Sequence, residues 1–63
     1  MEGLLTEKEY DVMNFFAVGM TDSDIAERSG ISPNAVNGIL ASICRKINVP
    51  NRLQAMLWAG QNL

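Results

Sequence analysis

Ala26, Gly30 and Val36 constrain this chain more than any other residues. A small residue stands four positions before a glycine, and a β-branched apolar residue follows six positions after it. That spacing suits two helices crossing at a tight angle. Ala26 lets the helices approach, Gly30 supplies the positive φ of the turn, and Val36 locks the second helix onto the first. With Ile25 and Ile31 beside them, they spell a helix-turn-helix between Thr21 and Ile47.

The punctuation around this unit predicts an all-α fold of four helices in one domain, residues 1–63. Helix one is expected over about 5–19. It opens on a capping box from Thr6 to Glu9, with Leu5 placed to staple onto Tyr10. A stripe of Tyr10, Met13, Phe16 and Ala17 follows, and Gly19 closes it. Helix two is expected over 21–29, with Asp22 and Asp24 in its first turn, Ile25 buried and Gly30 as terminator. Ser32-Pro33 is a strong start for helix three, 32–47, with serine as N-cap and proline at the first helical position. Val36, Leu40, Ile43 and Ile47 share one buried face, and Asn48 suits a left-handed end. Asn51 caps helix four, 51–62.

Helix four carries two apolar stripes. Leu53, Met56, Leu57 and Gly60 form one, and Ala55, Trp58 and Ala59 form the other. A terminal helix on one small core needs a single stripe. Two stripes point to a second apolar contact, most simply another copy of the chain, with Leu53, Met56, Leu57 and Gly60 as the expected dimer interface. The alternative is a core that wraps both.

Charge is divided along the chain. Residues 1–27 hold seven acids and one base, net −6, and residues 28–63 hold four bases and no acid, net +4. Acids at helix starts and bases at helix ends account for part of this division. The remainder leaves the second half as the one a polyanion would meet. Arg45, Lys46 and Arg52, with Arg28 and Lys8, are the candidate phosphate contacts, helped by helix N-termini. The exposed face expected of helix three is Asn34, Asn37, Gly38, Ala41, Ser42 and Arg45. Asparagine can clamp adenine N6/N7 and alanine can touch a thymine methyl, so this face suits an A·T-rich site.

Other chemistry is poorly supported. There is no histidine, and no nucleophile has a base nearby in sequence, so no enzyme is expected. Asp22 and Asp24 lack the rest of a calcium loop, so neither a metal nor another cofactor is expected. Cys44, the one cysteine, falls beside the buried face of helix three as a packing residue. The single cysteine and the lack of any apolar run near the roughly 18 residues that span a membrane suit a cytoplasmic protein with no membrane partner. No signal peptide is expected.

Several motifs agree in register with a known family. Leu5-Thr6-Glu7-Lys8-Glu9, Asp24-Ile25-Ala26-Glu27-Arg28, Gly30-Ile31-Ser32-Pro33, Val36, Ile43, Arg45-Lys46-Ile47-Asn48-Val49 and Asn51-Arg52-Leu53-Gln54-Ala55 resemble the LuxR-type helix-turn-helix domain. The resemblance covers Leu4 to Asn62. This domain is the DNA-binding end of NarL-group response regulators and of quorum-sensing regulators, and it also occurs free-standing. The closing run, Asn51 to Asn62, is similar to that of bacterial biofilm-matrix regulators.

The resemblance implies that helix three lies in the major groove of double-stranded DNA and that helix four makes a homodimer. Half-sites would then lie about one turn apart. Carried over by position, Asn34, Ala35, Asn37 and Gly38 face the groove, Lys46 meets a phosphate, and Arg45 adjoins it. The chain departs from the family where threonine is usual at Ala35, lysine at Asn37, histidine at Ile39 and a leucine-like residue at Ser29. These departures and the net charge of −2 support an alternative. In that reading the scaffold is a protein-interaction module that pairs with, and modulates, a larger related regulator.

Overall fold

Thr6, Thr21 and Ser32 do the same work at three helix starts. Each side-chain oxygen accepts from the amide three residues on: Glu9 at 3.1 Å, Asp24 at 3.2 Å and Ala35 at 3.1 Å. The computed structural model describes residues 5–62, and the helices that follow these caps are α1 Glu7–Ala17, α2 Asp22–Ser29 and α3 Pro33–Lys46. The fourth, α4 Arg52–Asn62, begins where Asn51 Oδ1 accepts from the Gln54 amide at 3.0 Å. The hydroxyl and amide oxygens satisfy donors that the first helical turn leaves unpaired. At α1 the box is complete, because the Thr6 amide donates to Glu9 Oε1 at 2.8 Å.

The first three helices also end alike. A residue at positive φ (Gly19 at 97°, Gly30 at 72°, Asn48 at 62°) turns the chain back. The next amide then bonds to a carbonyl five residues earlier: Met20 to Phe15, Ile31 to Ala26 and Val49 to Cys44. This closes carbonyls that the last turn leaves open. Glycine tolerates the left-handed conformation freely, and asparagine tolerates it better than most residues. The ordered helices are shorter at both ends of α1 and α3 than the spans expected from sequence. Thr6, Ser32 and the left-handed residues act as flanking caps and terminators, outside the repeating hydrogen bonds.

One apolar cluster joins all four helices. Val12, Met13, Ile25, Val36, Leu40, Ile43 and Ala55 are essentially inaccessible. Tyr10, Ile31, Ile39, Cys44, Met56 and Trp58 pack around them partly buried. α2 packs most extensively on α3, and α1 touches every other helix. Ala26 is 4% exposed, which fits its expected place at the crossing of α2 and α3. Val12 is a core residue that the Tyr10–Ala17 stripe leaves out, because α1 is covered from more than one side. Among the described residues, no helix is long and apolar enough to cross a membrane.

On α4 the core takes one stripe and leaves the other. Ala55 and Ala59 are buried and Trp58 is half-buried. Leu53 and Leu57 are 66% and 55% exposed, and Gly60 is exposed beside them. Met56, grouped by sequence with the leucines, packs instead against the core. It stands one residue from Ala55, and at 100° per residue it falls on the flank of the buried face.

Candidate nucleic-acid interface

The buried row Val36, Leu40, Ile43 and Ile47 determines what α3 can present. Residues half a turn away from that row point outward, so Asn34, Gly38, Ala41 and Arg45 form an exposed ridge along the helix. Asn37 is exposed on the flank that meets α4. Ala35, exposed in the first turn, lies on the opposite flank, the side of Ser42 and Lys46. A ridge with two small residues and one guanidinium offers close backbone approach with little bulk.

Ser42 and Lys46, both expected at the interface, are tied to α1. Lys46 Nζ donates to Glu9 Oε1 at 2.8 Å, and Ser42 Oγ donates to Glu9 Oε2 at 3.2 Å. Glu9 is only 7% exposed, so its carboxylate would be costly without these partners. Burial pushes the Glu9 carboxyl up. The Lys46, Thr6 and Ser42 hydrogen bonds and the Lys46 charge outweigh burial and hold it below the ordinary 4.5. The Lys46 side chain remains 38% exposed, so the ammonium still has donor hydrogens facing solvent.

Arg52, a candidate phosphate contact in sequence, is engaged inside the protein. Its two guanidinium arms donate to both carboxylate oxygens of Asp22 at 2.9 and 2.8 Å. One arm also donates to Asn37 Oδ1 at 2.9 Å. The Asp22 carboxyl is held below its ordinary 3.8, first by the Arg52 hydrogen bonds and against the opposing effect of burial. Asp22 was expected to serve the α2 dipole, and its position in the first turn still does. The sequence contains no signal for this network, because Asp22, Asn37 and Arg52 lie on three different helices.

These two ion pairs each join an acid of the first half to a base of the second, and so reduce the cationic surface that the charge division implies. Arg28 lies over the Phe15 ring at 5.9 Å. Among the described residues Arg45 makes no ion pair. It lines a shallow groove of about 390 Å³ with Asn37, Ala41, Cys44, Pro50 and Arg52. The groove runs between the end of α3 and the start of α4, beside the exposed ridge.

Comparison with known proteins agrees with this architecture. The family model described as bacterial regulatory proteins, luxR family, matches residues 3–59. A probable csgAB operon transcriptional regulatory protein of Salmonella typhimurium and the CsgBAC operon transcriptional regulatory protein of Escherichia coli are each 40% identical over 95% of this chain. The response regulator VraR of Staphylococcus aureus is 32% identical over 94% of it. The chain spans 28% of the length of each of these relatives. No solved structure gives a significant match. Four capped helices, an α2–α3 crossing closed by Ala26 and Gly30, and a family match over nearly the whole chain lead to one conclusion: the chain belongs to the luxR family of bacterial regulatory proteins, as a helix-turn-helix DNA-binding domain of transcription regulators.

Proposed function

We propose that this domain binds promoter DNA sequence-specifically as a dimer, with α3 in the major groove and the exposed stripe of α4 between two copies. The observation that carries the reading is the ridge Asn34–Gly38–Ala41–Arg45, solvent-facing on the helix that packs most extensively against α2. Asn34 and Arg45 supply groups that hydrogen-bond to base edges or phosphates, and Gly38 and Ala41 let the backbone approach. Asn37 adds a polar flank. Ala35, Ser42 and Lys46 lie on the other flank, where a phosphate strand would pass. The names of the relatives, operon regulatory proteins and a response regulator, support action at promoters and therefore in the cytoplasm.

With two of its cations paired internally, one domain offers few free charges to phosphates, and counterion release scales with such contacts. A dimer doubles the contacts and places two reading helices on adjacent half-sites. Leu53 and Leu57 with Gly60 form the apolar strip available for that pairing; Met56 lies at its buried edge. The test is fluorescence anisotropy on duplexes selected from a promoter library, titrated over salt. Specific binding with a linear log–log salt slope, reduced by Arg45→Ala and Lys46→Ala, supports the reading. Binding no stronger than to a non-specific polyanion overturns it.

A second reading draws on the same exposed leucines. The α4 stripe would pair with the equivalent helix of a larger related regulator, making this domain a modulator through heterodimers. Co-purification of such a regulator with the wild type but not with Leu57→Glu favours it. Tight autonomous binding to an operator counts against it.

A further inference from the structure

Arg52 starts α4 and reaches both helices of the helix-turn-helix. Its Nη1 donates to Asp22 Oδ1 at 2.9 Å, and its Nη2 donates to Asp22 Oδ2 at 2.8 Å and to Asn37 Oδ1 at 2.9 Å. Nη2 has two hydrogens, so one goes to α2 and one to α3. The guanidinium carbon also lies 5.9 Å from the Phe16 ring centroid. The group is therefore held from several sides before anything binds. Asp22 balances its charge, so its effect on Asn37 is one of orientation.

An asparagine amide is planar, with its oxygen and its NH₂ on opposite arms. The adenine clamp needs both arms along the base edge: Oδ1 accepts from N6, and Nδ2 donates to N7. Arg52 draws Oδ1 back toward α4, which turns the acceptor arm away from the line along a base edge that the two-armed clamp needs. The arm left for DNA is the NH₂, a pure donor. Guanine presents two adjacent acceptors, O6 and N7, in the major groove; thymine presents one, O4; adenine and cytosine both present an amino donor there.

We propose, on the basis of the DNA-reading role of α3, that Arg52 is a positioning residue that makes Asn37 a donor-only reader, so that Asn37 selects guanine and rejects adenine. This revises the A·T preference expected from an asparagine in isolation. The revision comes from a partner 15 residues away in sequence.

The test is selection of bound duplexes from a randomised library by the full chain, by Asn37→Ala and by Arg52→Lys. The lysine keeps a cation for Asp22 but lacks the planar fork that spans Asp22 and Asn37, and circular dichroism checks its fold. In the wild type, the position whose preference is flattened by Asn37→Ala should favour guanine over adenine by about tenfold. Arg52→Lys should move that ratio toward adenine by about the same factor. Adenine at that position in the wild type overturns the proposal, as does a guanine preference that survives Asn37→Ala. The wild-type and Asn37→Ala selections decide it even if Arg52→Lys does not fold. A chain that selects no sequence overturns the DNA-reading role and this inference together. Selection without guanine at the Asn37 position overturns this inference alone.

Discussion

The Lys46 ammonium lies 2.8 Å from Oε1 of Glu9, so a residue at the end of α3 is bound to the first turn of α1. Glu9 serves two structures at once. It closes the α1 capping box through the Thr6 amide and anchors α3 through Lys46 and Ser42. The tether keeps the far end of α3 registered against the core while leaving part of the lysine in solvent. A phosphate arriving there would share a cation already oriented by the fold.

Glu9 and Asp22 should make the fold acid-sensitive. The Glu9 carboxyl is held below 4.5 and that of Asp22 below 3.8. A folded-state pKa lower than the unfolded one stabilises the fold above the unfolded value, and that stability is lost as pH falls through the folded one. Thermal melts should therefore shift downward as pH drops below about 4.5. Glu9→Gln keeps the cap but loses the ion pair. It should cost about 1 kcal/mol at neutral pH and flatten the acid limb of the melting curve. An unchanged acid limb would show that the pair does not matter.

The Asp22–Arg52 fork should appear as an energetic coupling. Both side chains are partly solvent-exposed, at 31% and 42%, so the bidentate geometry is worth about 1 kcal/mol and not more. A double-mutant cycle of Asp22→Asn and Arg52→Gln, read by urea denaturation, should return a coupling of about that size. Additive single effects would remove the fork from the account of how α4 is held.

Two glycines should respond oppositely to alanine. Gly30 sits at φ 72°, where a Cβ is strained, so Gly30→Ala should destabilise by about 1 kcal/mol even though space is open. Gly38 is helical, with nothing within 4 Å of an added Cβ, so Gly38→Ala should stabilise by up to about 1 kcal/mol. If α3 enters the groove, the same methyl stands on the ridge and should weaken DNA binding. A higher melting temperature with undiminished affinity would move the ridge away from DNA.

Leu57→Glu should abolish pairing through α4 and leave the fold intact, because the leucine is 55% exposed. Sedimentation of the wild type should reveal concentration-dependent association that the variant lacks, with the melting temperature of the dilute protein nearly unchanged. A wild type that stays monomeric at high concentration, on and off DNA, would leave α4 without its proposed partner.

The helices were legible because their signals are local. Thr6, Thr21, Ser32 and Asn51 each cap an amide three residues ahead. Gly19, Gly30 and Asn48 each reverse the chain at a helix end. The row Val36, Leu40, Ile43 and Ile47 announces its burial by period alone. The outward ridge of α3 follows from that row by subtraction, so much of the candidate interface was legible too. Two stripes on α4 were also visible, but not which would face the core, because both have helical spacing and similar apolar character.

What the sequence by itself determined is where each helix is capped at its start, where the first three are turned back and which face α3 buries; these depend on residues within a turn or so of one another. Only the tertiary structure decided the partners of the charges. Lys46 finds Glu9 across 37 residues, Ser42 finds the same carboxylate across 33, and Arg52 finds Asp22 across 30. Those distances close only when the helices cross, and crossing angles depend on the packing of the whole core. The physical consequence is that Lys46 and Arg52, which look free in the chain, arrive at the surface already engaged, and the Asn37 oxygen accepts from Arg52.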